Sequence, residues 1–361
     1  MNKTSVHFPL FHAIFSLGTV VASFLLFLLA FFGTPRTVRA QTPEPVVTEK
    51  QPPATQSTVT EDDQKSTGTL AHEYATVNGV KLHYVTQGTG PVLLLLHGFP
   101  EFWYMWRNQI AEFAKTHRVI APDMRGYNLS DKPKKVSDYA MPVLVADIKA
   151  FIGAVAPDSK VTLVGHDWGG AVVWAYAAYY PETLDKVVII SAPHPTLFLR
   201  ELRANPFQLQ ASSMMFMVQD SRAETMLRKN DYALLSKYFF ESCSKPATYT
   251  SDDHKAYRDA WEQPGALTGA LNYFRAAEIN APAPPKAQIV RPVVNLPMVT
   301  VPTLILWGDR DPGLMIGNLT GLEKLVTKLT IRRFPSGGHW LVHDEPEAVN
   351  RAIRDFITPA P

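Results

Sequence analysis

The sequence predicts an α/β protein: a mostly parallel, twisted sheet flanked by helices and interrupted by a helical insertion. Three observations carry this. Short, largely apolar runs such as Val92–Leu96 and Val161–Val164 alternate with longer helix-prone stretches, which is the pattern of strands covered on both faces. Between Pro195 and Pro302 the strand signals stop, and helix formers, Met and aromatics take over. Strand signals then resume at Thr303–Trp307 and Leu329–Phe334.

The segments follow in chain order. Residues 1–40 read as targeting sequence rather than fold. Lys3 precedes an uncharged run from Ala13 to Gly33, Pro35 ends it, and Val38-Arg39-Ala40 places small residues where a signal peptidase reads. The run is also long enough to cross a bilayer. Residues 1–40 are therefore expected to be either a cleaved secretory signal or a membrane anchor, and both readings export the protein. Positive charge flanks both ends, so it does not fix an orientation. Residues 41–71 are rich in Pro, Thr and Gln and too poor in large apolar side chains to offset chain entropy; they read as a disordered tether.

Tyr74–Val77 and Val80–Val85 read as strands of a hairpin turned by Asn78-Gly79. Val92–His97 reads as a central strand, and Arg118–Pro122 as a short one ending at Asp123. Leu144–Val155 has the periodicity of an amphipathic helix. Val161–Gly165 is expected to be strand, Ala171–Tyr180 helix and Lys186–Ser191 strand. Ala281-Pro282-Ala283-Pro284-Pro285 reads as a stiff connection out of the insertion, and Glu345–Phe356 as a closing helix.

Composition narrows the function. A hydrophobic fraction of 46% suits a globular core. A net charge of +2 without a basic stripe argues against nucleic acid as partner. A single cysteine, Cys243, cannot form an internal disulfide and reads as a structural thiol. No ligand cluster implies a metal or a cofactor.

The chemistry-bearing run is Gly165-His166-Asp167-Trp168-Gly169. It joins a strand to a helix through a sharp turn that glycines permit, which is the layout of a nucleophile elbow with Asp at its tip. A carboxylate attacks saturated carbon, and the resulting ester is open to water; this points to epoxides or alkyl halides rather than ordinary esters. Downstream, Thr303–Trp307 ends in Gly308-Asp309-Arg310-Asp311, and Leu329–Phe334 is followed by Pro335-Ser336-Gly337-Gly338-His339. Nucleophile, acid and His thus occur in that order. Upstream, Val92–Leu96 leads into His97-Gly98-Phe99-Pro100, where an oxyanion-binding loop is expected.

With these motifs the chain resembles the epoxide hydrolase and haloalkane dehalogenase branch of the α/β-hydrolases, and the soluble epoxide hydrolases in particular. His97–Arg107, Asp123–Tyr127, Gly165–Gly170, Ser191–Pro195, Trp307–Asp311 and Gly338–Trp340 carry the resemblance. It implies an α/β-hydrolase core over 72–195 and 302–358, with a helical cap and connection over 196–301. It also implies a small apolar substrate.

Under this resemblance Asp167 is the expected nucleophile, His339 the general base that activates water, and Asp311 the acid that orients His339. Asp309 is the competitor for the acid role. The backbone N–H groups of Phe99 and Trp168 are expected to form the oxyanion hole. A cis bond before Pro100 is implied by family geometry. His194 and His343 read as structural, and Asp123, Arg125 and Glu101 as scaffold of the loops beneath the site.

One part of the family pattern is missing. Opening an epoxide releases an alkoxide that needs a proton, and the family supplies it from two cap tyrosines. Here Met214 stands at the first position and Phe274 at the second, one residue after Tyr273. Met214, Tyr273 and Phe274 are expected to line the cap pocket, and Tyr238, Tyr257 and Tyr273 are the candidates for a replacement donor. Epoxide hydrolysis through an Asp167 ester is the leading expectation. A haloalkane dehalogenase and a weakly catalytic binding protein on the same fold remain as alternatives.

Overall fold

A computed structural model describes residues 68–277, 279 and 296–358 of the 361-residue chain, all within one unit spanning Thr58–Pro361. The expected targeting segment, nearly all of the tether and the proline-rich connection lie outside the described residues. Among the described residues no helix is long and apolar enough to cross a membrane.

The sheet has eight strands: β1 (Ala71–Val77), β2 (Val80–Gln87), β3 (Val92–Leu96), β4 (Arg118–Pro122), β5 (Val161–His166), β6 (Leu184–Ile190), β7 (Thr303–Gly308) and β8 (Leu329–Phe334). Their order is β1-β2-β4-β3-β5-β6-β7-β8. The β1–β2 and β2–β4 pairs are antiparallel and the remaining pairs parallel. The chain runs from β3 to β4 on one side and from β3 past β5 to β8 on the other. The carboxyl ends of β3 and β5 therefore flank the point where strand order reverses, and open α/β sheets bind ligands at such a point.

The central strands show why they read as unbroken apolar runs. All of Val92–Leu96 is buried. Leu94 and Leu96 enter the core on one face, and Leu93 and Leu95 the core on the other. Period-two alternation is invisible because both faces are dry.

Helices cover the sheet: α1 (Arg107–Phe113), α2 (Met141–Val155), α3 (Trp168–Tyr179) and, after the last strand, α10 (Leu341–Asp344) and α11 (Pro346–Ile357). Between β6 and β7 lie α4 (Pro195–Ala204), α5 (Pro206–Ala211), α6 (Ser213–Met217), α7 (Ala223–Phe240), α8 (Ser251–Glu262) and α9 (Ala266–Ala276). These six form the helical insertion. Within α7 the backbone breaks at Lys229–Tyr232, where Asn230, Asp231 and Tyr232 take positive φ. The second half of α7 is thus free to run in its own direction.

The differences from the sequence reading are local. Helices α1 and α10 have no strong periodicity of their own; tertiary packing stabilises such short helices. Helix α3 starts at Trp168 rather than Ala171, because Gly169 and Gly170 let it begin directly at the turn and press against the sheet. A Cβ at Gly169 would sit 2.2 Å from the Leu96 carbonyl oxygen.

Candidate active site

Asp167 occupies the turn between β5 and α3 with φ 50° and ψ −119°. A side-chain-bearing residue rarely holds this left-handed geometry, and such strain concentrates at functional positions. The turn lifts the carboxylate off the end of β5 toward the loop after β3. There the Phe99 N–H donates to Asp167 Oδ1 at 2.8 Å. The Phe99-Pro100 peptide is cis. Trp168 is the first residue of α3, and first-turn N–H groups of a helix have no intrahelical acceptor. The positive end of the helix therefore lies at this turn.

The loop approach requires glycine. A Cβ at Gly98 would lie 2.4 Å from Asp167 Cβ and 2.5 Å from Oδ1. Gly98→Ala should therefore move either the nucleophile or the Phe99 N–H. We expect kcat to fall by about 10²-fold or more with circular dichroism unchanged, since displacements near 1 Å have that cost in preorganised sites. A variant of wild-type kcat would show that this close approach is dispensable.

His339 follows β8 on its loop. Its Nδ1 donates to Asp311 Oδ2 at 2.7 Å, and its Nε2 lies 3.7 Å from Asp167 Oδ2. Asp311 is itself fixed, because Oδ1 accepts the N–H groups of Gly313 and Leu314, both at 2.8 Å. The two carboxylates after β7 differ in their partners. Asp309 pairs with Arg333 at the surface through contacts of 2.9 and 2.8 Å, whereas Asp311 is buried against His339. Asp167, His339 and Asp311 thus converge although far apart in sequence.

Burial alone would lower the His339 pKa. The negative charges and hydrogen bonds of Asp311 and Asp167 outweigh burial and raise it to about 10. The two flanking carboxylates thus favour the protonated imidazole.

A second group of charges lies behind His339, and the sequence reading treated its members singly. Glu101, fully buried on the loop after β3, contacts His343 Nε2 at 2.5 Å, accepts the Tyr257 hydroxyl at 3.1 Å and faces His166 Nδ1 at 3.3 Å. His166 Nε2 in turn meets the His339 carbonyl at 3.0 Å. Desolvation would raise the Glu101 pKa, but the His343 charge and the hydrogen bonds of both imidazoles hold its carboxyl well below the usual range. The available signal was position: His166 precedes the nucleophile, and His343 follows His339 by one helical turn. The other scaffold residues are well satisfied. Arg125 makes a bidentate pair with Asp147 at 2.6 and 2.7 Å, Asp123 accepts from Trp103 N and Asn128, and His194 caps α4.

The insertion covers the site. Phe274 is buried and meets Phe99 and Trp168 edge-on, each at 5.1 Å between ring centroids. Met214 is partly buried against the core. Tyr273 places its ring beside Trp168, but its hydroxyl donates to the Arg125 carbonyl at 2.8 Å. Two of the three expected replacement donors are thereby corrected. Tyr273 is tied to the scaffold by that bond, and Tyr257 is tied to Glu101. Among the described residues no group of His, Cys, Asp and Glu is arranged to hold a metal.

Comparison with known proteins agrees with this architecture. The alpha/beta hydrolase fold family matches residues 91–346. Epoxide hydrolase 4 of Mus musculus is 39% identical over 304 residues, which cover 81% of this chain and 80% of the relative. The AB hydrolase superfamily protein YfhM of Bacillus subtilis (strain 168) is 38% identical over 297 residues, covering 79% of this chain and 97% of that one. Among solved structures, an epoxide hydrolase of Bacillus megaterium in complex with an inhibitor superposes with a TM-score of 0.74 at 36% identity, covering 79% of this chain and 99% of that chain. With these likenesses spread over nearly the whole catalytic unit, the chain belongs to the α/β-hydrolase fold family and, within it, to the epoxide hydrolase branch.

Proposed function

We propose that the protein converts an epoxide and water into a vicinal diol through a covalent ester on Asp167. The observation that carries this is the placement of a carboxylate at the elbow. Asp167 Oδ1 is held by the Phe99 N–H, and Oδ2 faces His339 without a short bond to it. Oδ2 is the atom available to attack the epoxide carbon. Its attack breaks the carbon–oxygen bond of the ring and leaves a hydroxyalkyl ester on Asp167.

The second half-reaction uses His339. Once Asp167 is esterified, one of the two negative charges that raise the imidazole's pKa is gone, so its affinity for the proton falls. Neutral His339 takes a proton from water, and the hydroxide adds to Cγ of the ester. The developing oxyanion lies where Oδ1 lies now, against the Phe99 N–H, with the Trp168 N–H at the start of the following helix as the proposed second donor. Collapse returns the carboxylate and releases the diol. Asp311 keeps the imidazole in the tautomer with Nε2 toward the reaction.

A single turnover of styrene oxide in oxygen-18 water tests this. The label should enter the Asp167 side chain, located by peptide mass spectrometry, while the first-turnover diol carries none from solvent. Diol formed with unlabelled Asp167 would reject the ester. Halide release from brominated alkanes, without diol from any epoxide of a panel, would replace the epoxide reading with the dehalogenase one.

A further inference from the structure

The ring oxygen of an epoxide cannot leave as a bare alkoxide at neutral pH, so an acid must face Asp167 across the substrate. With Met214 and Phe274 at the cap positions, that acid has to be found elsewhere. Resting on the Asp167 reading above, we propose that Tyr238, in the second half of α7, is the proton donor that opens the epoxide ring.

All 13 tyrosines of the chain fall among the described residues, which makes elimination informative. Tyr257 and Tyr273 are bonded to Glu101 and to the Arg125 carbonyl. Tyr84 donates to Glu73, Tyr139 to the Pro133 carbonyl, Tyr232 to the Trp261 carbonyl, and Tyr249 pairs with Cys243. The Tyr176 hydroxyl pairs with Thr183, Tyr74 and Tyr179 are exposed, Tyr104 lies beside Arg107 and Asp253, and Tyr180 packs against Tyr176 and Lys149. Two phenols remain whose environment includes the Asp167 charge: Tyr127 and Tyr238. Tyr127 is fully enclosed beneath the oxyanion loop, its ring against His97 and Tyr273, and its oxygen is sealed from solvent. Tyr238 is only half-buried, and its hydroxyl has no hydrogen-bond partner among the described residues.

The position of Tyr238 is set from the catalytic side. Its ring meets Trp340 edge-on at 6.1 Å, and Trp340 in turn meets the His339 ring at 4.7 Å. The Trp340 indole N–H donates to Ser242 Oγ at 2.7 Å, and that hydroxyl donates to the Tyr238 carbonyl. Ring contacts and hydrogen bonds therefore link the base, the indole and the phenol. Burial first, and then the charges of both Asp167 and Asp311, hold the phenol well above its ordinary range. It consequently keeps its proton until an alkoxide develops beside it.

The protons balance through the cycle. As Asp167 Oδ2 forms the ester bond and the ring carbon–oxygen bond breaks, Tyr238 gives its proton to the departing oxygen and becomes phenolate. The His339 cation, whose hold on its proton weakens once Asp167 is esterified, releases that proton to solvent, and the phenolate takes one from solvent. This restores the phenol and delivers His339 as the neutral base that ester hydrolysis needs. Water then adds, the diol leaves, and the released proton resides on His339 as at the start.

Rapid-quench mass spectrometry of ester formation and decay, with styrene oxide as probe, tests the assignment. Tyr238→Phe keeps the ring against Trp340 and removes only the acid. Ester formation should slow by about 10²–10³-fold, while ester decay stays within about threefold of wild type. Formation at the wild-type rate, or formation and decay slowed together, would overturn the proposal. So would slow formation in Tyr127→Phe alongside normal formation in Tyr238→Phe. Absence of any ester in the wild-type protein would instead reject the Asp167 reading on which the proposal stands.

Discussion

His339→Gln should arrest the protein after one chemical step. Asp167 Oδ2 and the Phe99 N–H remain in place, because neither depends on the imidazole for position. Ester formation should then proceed while hydrolysis loses its base. Loss of such a base removes about 10³–10⁴-fold or more of turnover. Incubated with styrene oxide, the variant should gain the mass of one substrate per chain, localised by peptide mapping to the segment containing Asp167. A variant that turns over normally, or one that is inactive without any mass gain, would contradict the division of labour between the two residues. The same arrangement fixes a pH trend in the folded wild-type protein. The His339 pKa is raised to about 10 in the folded state, so its ion pairs contribute stability fully below the ordinary histidine range and lose it as pH rises through about 10.

The second large effect is on stability. Glu101 is a fully buried carboxylate whose surroundings are His343, His166 and the Tyr257 hydroxyl. Removing one partner of a buried ionic group strands the other, at a cost of about 3–5 kcal/mol. Glu101→Gln keeps the shape and removes the charge, so its urea midpoint at pH 7 should drop by a large fraction of the protein's stability. The sign with pH follows from the lowered carboxyl pKa. The contribution is present above the pKa of the unfolded carboxyl and is lost as pH falls below it, so wild type and variant should converge in acid. Equal midpoints at pH 7, or a gap that widens toward low pH, would show that the carboxylate is not the keystone of this cluster. Because His166 also meets the His339 carbonyl, the variant's residual activity reports how far the base depends on that backing.

The sheet and the three converging side chains were legible because each is announced locally. Val161–Val164 followed by Gly165 and Asp167 describes a strand, a turn and an exposed tip within a few residues. Strand periodicity and turn glycines are short-range physics, and parallel strands closed by crossovers leave few alternatives. Asp309 and Asp311 were less separable, since only the partner of each, Arg333 or His339, distinguishes them. The Glu101 cluster joins residues more than two hundred positions apart, and no local pattern encodes such a meeting. Tyr238 was visible as one of three candidates. The other two were removed by hydrogen bonds to Glu101 and to the Arg125 carbonyl, which are properties of the folded chain.

The insertion leaves the sheet after β6 and re-enters at β7, and these two strands are adjacent. Exit and return therefore stand side by side, like the two wires of a plug-in part. Ester hydrolysis belongs to the socket: Asp167, His339, Asp311 and the loop after β3 all come from the sheet. Ring opening, with Tyr238, belongs to the part plugged in. A lineage could thus exchange the upper piece, and with it the bond it breaks, without rebuilding the lower machinery that clears the intermediate.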